Sequence, residues 1–246
     1  MLSDTELATF QELGHVTISD VLTTQQIDEA VDDITRWSAQ FLSELSNDES
    51  QWYLERARGS KATTLRKLDN PVYHRDVFRR IAQTQRLISS VRQLIGQPVT
   101  AFFSQVFLKP PEVGGPKPVH QDNFYFGPDD QDATLTAWIA IDDATTENGC
   151  LFFADGSHKG PVLQHEAPED EPFNLQISET DASQATMTPA PVDRGGVSFH
   201  HGNTWHQSSA NTSPRPRRAV AIHFLRSDAR LVSPALKYDP TIAIPF

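Results

Sequence analysis

The stretch TLTAWIAIDDATTENGCLFFADGS (Thr134–Ser157) sets two short apolar runs, Thr134–Ile141 and Cys150–Ala154, on either side of a cluster of Asp, Thr, Asn and Gly. Runs of five to eight residues rich in β-branched and aromatic side chains, bounded by turn formers, read as strands. The same pattern recurs at Val99–Leu108, Val119–Phe126, Val197–His201 and Ala219–Leu225. Six strands without intervening helices predict an antiparallel sandwich or barrel, not a parallel sheet. Upstream, the character is helical. Ser3 and Glu6, then Thr23 and Gln26, have capping-box spacing, and Gly14 supplies a stop. Ile27, Val31, Ile34, Phe41 and Leu45 follow helical steps, and Val77, Ile81, Ile88, Val91 and Ile95 predict one further helix. The polar stretch Gln164–Pro191 is expected to be a long surface loop, either a lid or binding loop or a plainly disordered segment.

The chain has 246 residues, 38% of them apolar, enough for one core. It is read as a single domain over 1–246, a helical flank (1–98) leading into a β core (99–228). No apolar stretch is long enough to span a membrane, and the N-terminus lacks a secretory pattern. Cys150 is the single cysteine, which excludes an intramolecular disulfide and a multi-cysteine metal site. The expectation is a cytoplasmic protein. A net charge of −11 repels phosphate backbones, so the expected partner is a small molecule, not nucleic acid or membrane. Oligomeric state is not readable.

The chemistry centres on His120-Gln121-Asp122. Residues two apart on a strand share a face, so an imidazole and a carboxylate can reach one ion together. Nine histidines and 32 acids produce about one such pair by chance, and His74-Arg75-Asp76 is a second, read as a helix entrance with a solvated charge pair. What raises the first is its continuation into Phe124 and Phe126, which on a strand would share the face and form a pocket wall. A distal histidine would complete a 2-His-1-carboxylate set, which leaves open coordination positions as Fe(II) oxygenases require. His200, His201 and His206 compete for that place. Arg217, eleven residues after His206, is a candidate clamp for the far carboxylate of a dicarboxylate, since a guanidinium binds carboxylates bidentately. Arg215 is read as a solvated loop residue.

These residues resemble the phytanoyl-CoA dioxygenase family of 2-oxoglutarate oxygenases. The resemblance runs from about Gln105 to Leu225 through Lys109-Pro110-Pro111, His120-Gln121-Asp122, Trp138 to Asp143, Glu147-Asn148-Gly149-Cys150-Leu151, Gly156-Ser157-His158-Lys159 and His206 to Arg218. It implies a double-stranded β-helix, a jelly-roll barrel flanked by N-terminal helices. It implies Fe(II) held by His120, Asp122 and His206, with 2-oxoglutarate and O2 as co-substrates. Arg217 would hold the distal carboxylate, with Gln105 and Ser208 as further contacts to the co-substrate. Gln207, Trp205 and Asp155 depart from the family's usual glycine, leucine and proline. His158 is implied to be a turn histidine. The implied reaction is hydroxylation of an unactivated C–H, with desaturation, cyclisation and epoxidation as variants. Asp122 fills the position that related halogenases leave to a small residue, so halogenation is disfavoured. A metal hydrolase or isomerase on a cupin-like barrel and a non-catalytic ligand-binding jelly-roll are the competing readings. Asn123, Phe107 and Trp138 are expected on the substrate side.

Overall fold

The computed structural model describes residues 1–56, 61–168, 174–236 and 239–246. Its centre is a pair of antiparallel sheets. The larger has the order His15–Ile18, Val197–His201, Thr134–Ala140, Arg217–Arg226, Val99–Lys109 and Ile244–Pro245, and Lys67–Asp69 also pairs with Val99–Lys109. The smaller has the order Met187–Ala190, Leu151–Ala154, His206–Ser208 and Lys117–His120. This is the jelly-roll arrangement, with two sheets facing each other and not closed by hydrogen bonds into one barrel.

Side-chain alternation decides what each sheet faces. Leu135, Ala137 and Ile139 join Val220, Ile222 and Phe224 in a core shared with Phe78, Leu87, Ile88 and Val91 of the N-terminal helices. The alternate residues Trp138, Ala140, Ala219 and Ala221 pack toward Leu151 and Phe153 of the smaller sheet. Thr134–Ala140 is buried at all seven positions because helices cover one face and the smaller sheet the other. Among the described residues no helix is long and apolar enough to cross a membrane.

Both N-terminal capping boxes form, at Ser3/Glu6 for Asp4–Leu13 and at Thr23/Gln26 for Thr24–Glu44. Gly14 closes the first helix in the left-handed region (φ 81°). Two readings are corrected. The helix expected through Val77–Ile95 is two, Asp76–Ala82 and Gln85–Ile95. Thr84 breaks it in an extended conformation, its hydroxyl accepting from Gln26 Nε2 at 3.2 Å, a tertiary contact with no local signal. The expected loop Gln164–Pro191 contains the strand pair His165–Glu166 with Gln176–Ile177, the helix Glu179–Ala182 and the strand Met187–Ala190. Its residues 169–173 lie outside the described residues.

His74-Arg75-Asp76 does stand at a helix entrance, with Asp76 the first residue of its helix. His74 and Asp76 are both exposed, while Arg75 between them is half-buried, its guanidinium forking onto Asp33 at 2.7 and 2.8 Å.

Candidate active site

His120 ends the strand Lys117–His120 and His206 begins the strand His206–Ser208. The two are direct cross-strand partners, their ring centroids 4.1 Å apart. Asp122 arrives differently from the sequence reading. The strand stops at His120, and Asp122–Phe126 is a short helix, so Asp122, Phe124 and Phe126 do not continue one strand face. The turn is forced by long-range contacts. Gln121, fully buried, donates from Nε2 to Pro161 O (3.1 Å) and Asn203 O (2.9 Å), and its Oε1 accepts from Leu163 N (2.8 Å). The Gln121 N–H donates to His165 Nε2 at 2.9 Å, and Asn123 N donates to Gly202 O at 2.8 Å. Gly202 is required there, since a Cβ would lie 2.1 Å from Thr134 Oγ1 and 2.2 Å from Asn123 Oδ1.

One ligand atom from each of His120, Asp122 and His206 lies within 4.8 Å of the other two, and all three residues are buried. Asp122 Oδ1 is 3.8 Å from His120 Nε2 and 3.7 Å from His206 Nε2. Both imidazoles are oriented by their own backbone. His120 Nδ1 bonds Pro118 O at 2.8 Å, and His206 Nδ1 bonds Thr204 O at 2.9 Å. A carbonyl only accepts, so the proton sits on Nδ1 and each Nε2 lone pair is left for a metal, the arrangement typical of metal-binding histidines. Burial, reinforced by its neighbours, holds His120 well below the ordinary imidazole range and His206 down to about 4. Burial alone would raise the Asp122 carboxyl. The surrounding imidazoles of His206, His200 and His223, and the hydrogen bond from His200, outweigh it and hold the group well below the usual carboxylate range. The site thus presents two neutral imidazoles and one carboxylate, the donor set that suits Fe(II).

The second Asp122 oxygen is occupied. Thr136 Oγ1 donates to Oδ2 at 2.5 Å, and His200 Nε2 approaches the same oxygen at 3.2 Å. Of the three competing histidines, His206 joins His120 and Asp122, His200 braces Asp122, and His201 turns away to Asp132 at 3.1 Å.

A cavity of about 770 Å³ opens beside this group. Gln105, Ser208, Arg217, Phe107 and Trp138 all line it. Arg217 is 2% exposed, its guanidinium carbon 5.4 Å from the Trp138 ring centroid. Its Nε and Nη1 are buried without a hydrogen-bond partner, and burial pushes the guanidinium down to about 10. Buried donors left unmatched by protein are what a ligand carboxylate would satisfy. Arg215 is exposed, as read from the sequence. Asn123 is corrected. It is 1% exposed and committed to Gln131 O, Asn203 Oδ1 and Thr134, away from the cavity.

Lys67, Thr136 and His223 also line the cavity and were not singled out in the sequence. Lys67 Nζ is held on Asp69 at 2.8 and 3.0 Å, and Gln105 Nε2 donates to the same carboxylate at 2.7 Å. Strand pairing of Lys67–Asp69 with Phe107–Gln105 brings them together, a register that no local pattern announces. His158 occupies a single 3-10 turn, Ser157–Lys159, its ring 5.5 Å from that of His201.

The phytanoyl-CoA dioxygenase (PhyH) family model matches residues 10–219. Phytanoyl-CoA dioxygenase domain-containing protein 1 of Mus musculus is 33% identical over 177 residues, which cover 70% of this chain and 61% of the mouse protein. The match thus spans about three fifths of that relative's length. A probable alpha-ketoglutarate-dependent hypophosphite dioxygenase of Stutzerimonas stutzeri is 26% identical over 226 residues, covering 89% of this chain and 77% of its own. Among solved structures, the non-heme alpha ketoglutarate dependent carbocyclase SnoK from nogalamycin biosynthesis superposes with a TM-score of 0.75 at 23% identity, over 99% of this chain and 96% of that one. EctD from S. alaskensis with bound Fe gives 0.76 at 19% identity, over 98% and 83%. These two likenesses establish the jelly-roll fold. The chain belongs to the phytanoyl-CoA dioxygenase family, whose members depend on Fe(II) and 2-oxoglutarate.

Proposed function

We propose that this protein is an Fe(II)- and 2-oxoglutarate-dependent oxygenase that hydroxylates an unactivated C–H bond of a small molecule. His120, Asp122 and His206 are its metal ligands, and Arg217 binds the distal carboxylate of 2-oxoglutarate, with Gln105 and Ser208 beside it. The chain acts as one domain, the helical flank 1–98 supporting the core 99–228. The observation that carries the reading is the pairing, in one cavity, of the three convergent metal-binding side chains with a buried guanidinium that has unmatched donors. A metal hydrolase has no use for the second half of that pair.

When bound, Fe(II) with 2-oxoglutarate and O2 supplies the oxidant that attacks the C–H bond, with succinate and CO2 as coproducts. The protein's own contributions are positional. Pro118 O and Thr204 O aim the imidazoles. Thr136 and His200 occupy Asp122 Oδ2 and leave Oδ1 for the metal. Arg217 neutralises the far carboxylate in a site shielded from water, where a charge-assisted bond is strong. Trp138 and Phe107 pack against the co-substrate and exclude water.

The test is an anaerobic titration of Fe(II) and 2-oxoglutarate, read by the weak visible charge-transfer band of the chelate. The band is expected in the wild type and lost in His206→Ala. No band, together with tight zinc binding, would replace this reading with a metal hydrolase.

A further inference from the structure

The strand Arg217–Arg226 turns Arg217, Ala219, Ala221 and His223 toward the space between the sheets, while Val220, Ile222 and Phe224 pack on the helices. Six residues at ~3.3 Å each separate Arg217 from His223 by roughly 20 Å of strand. A five-carbon diacid that runs from Arg217 to the metal ligands stops short of His223. The cavity therefore has a second end beyond Asp122, whose Oδ1 faces His120 and His206 and whose Oδ2 is 3.7 Å from His223 Nδ1.

The protons at that end can be assigned. A carboxylate only accepts, so the single Thr136 hydroxyl proton goes to Asp122 Oδ2 at 2.5 Å. Thr136 Oγ1 must then accept at its 2.8 Å contact with His223, which puts the ring proton on Nδ1. Nε2 of a neutral imidazole is left as a lone pair. Among the described residues nothing hydrogen-bonds this atom, and the ring lines the cavity. Phe103 stacks on the imidazole (centroids 5.7 Å, 22°) and Phe126 lies 4.7 Å away, so the ring is held in one orientation by aromatic neighbours.

We propose that His223 Nε2 is the substrate anchor, an acceptor that selects molecules carrying a hydroxyl or N–H donor on an apolar body. An occupant that covers this acceptor without supplying a donor leaves it unsatisfied and loses affinity. The word substrate rests on the oxygenase reading above, but the acceptor and its chamber do not. Because Thr136 also holds Asp122, the anchor is wired to the same carboxylate that faces the metal, so the donor of a bound molecule is registered to the reactive position.

The test compares phenol with anisole, equal in ring and differing in the donor, by calorimetric titration into Fe(II)- and 2-oxoglutarate-loaded protein under argon. Phenol is expected to bind about tenfold more tightly, the worth of one hydrogen bond in a dry chamber. His223→Asn keeps a donor near the Nδ1 position and loses the Nε2 acceptor, so its phenol preference should fall to about one. His223→Gln carries its amide oxygen out to the Nε2 position and should retain the preference. In metal-free protein, nitrogen NMR of His223 should report the proton on Nδ1. Equal binding of phenol and anisole, no phenol binding up to its solubility, a preference that survives in His223→Asn, or a proton on Nε2 would each overturn the proposal. The charge-transfer band is read in the same wild-type sample. Its absence with the phenol preference intact would sink the oxygenase reading and leave the anchor standing.

Discussion

Replacing Arg217 by methionine separates a structural arginine from one kept for a ligand. Methionine retains the apolar stem against Trp138 and deletes the guanidinium. Nε and Nη1 have no hydrogen-bond partner, and an unsatisfied buried donor costs about 1–3 kcal/mol. Against the two donors stands the loss of the cation–π contact with Trp138, at 5.4 Å, worth about 2 kcal/mol when desolvated. The difference favours the variant by about 2 kcal/mol, or roughly 4–8 °C in melting temperature for a chain of this size. In the presence of 2-oxoglutarate the order reverses. Losing one partner of a buried, hydrogen-bonded charge pair costs about 2–4 kcal/mol, a roughly 30- to 1,000-fold weaker affinity. The assay is a melting curve of the metal-free protein and an anaerobic 2-oxoglutarate titration with Fe(II), each on wild type and Arg217→Met. A variant that melts more than about 4 °C below wild type without ligand would make Arg217 a structural cation. Co-substrate affinity within about threefold of wild type, a difference under 1 kcal/mol, would refute the clamp.

Three further outcomes follow from the same geometry. Thr136→Val removes one of the two partners of Asp122 Oδ2 and the acceptor of His223 Nδ1, so Fe(II) affinity should weaken by about 10- to 100-fold and the metal-free protein should lose about 2 kcal/mol, or roughly 4–8 °C; unchanged affinity in a metal competition assay would mean that the hydroxyl does not orient the carboxylate. Gln121→Leu breaks three buried hydrogen bonds to Pro161, Leu163 and Asn203 and should cost about 3 kcal/mol, or roughly 6–12 °C by calorimetry, whereas a loss under about 2 °C would contradict the stapling role. Burial pushes His165, His206 and His223 each down to about 4 in the folded chain, against about 6.5 unfolded. Between those values the unfolded chain binds more protons, so metal-free stability should be complete above pH 6.5 and fall as the pH drops toward 4. Asp122, lowered on folding, acts in the same direction through the carboxylate range, and a melting temperature that stays level or rises down to pH 5 would count against neutral, buried imidazoles.

Much of this architecture was legible because it is local. The capping boxes at Ser3 and Thr23 and the strand Val197–His201 needed nothing beyond spacing and period. Arg217 and His206 were visible as residue types at a distance that a β core can close. Asp122 does lie beside His120, but by another route than the one its spacing suggests. A period-two reading carries His120 and Asp122 on one strand face, whereas the chain turns into a helix at Asp122 because Gln121 is held from three sides, by Pro161, Leu163 and Asn203. Those partners lie 40 to 82 residues away in the chain, so no window of local sequence contains them. Asn123 failed for the same reason, its amide being drawn to Gln131 and Asn203. His223 marks the boundary between the two cases. Its direction could have been read from Arg217 by counting in twos along one strand. Its partner could not, since Thr136 faces it only through the pairing of Arg217–Arg226 with Thr134–Ala140. Alternation states which side chains share a face, and register states which of them meet. The polar contacts that tune this site, Thr136 with Asp122 and His223, and Asp69 with Gln105, are products of register or of the turn that follows His120. They are therefore the residues for which mutation carries information that the sequence pattern does not.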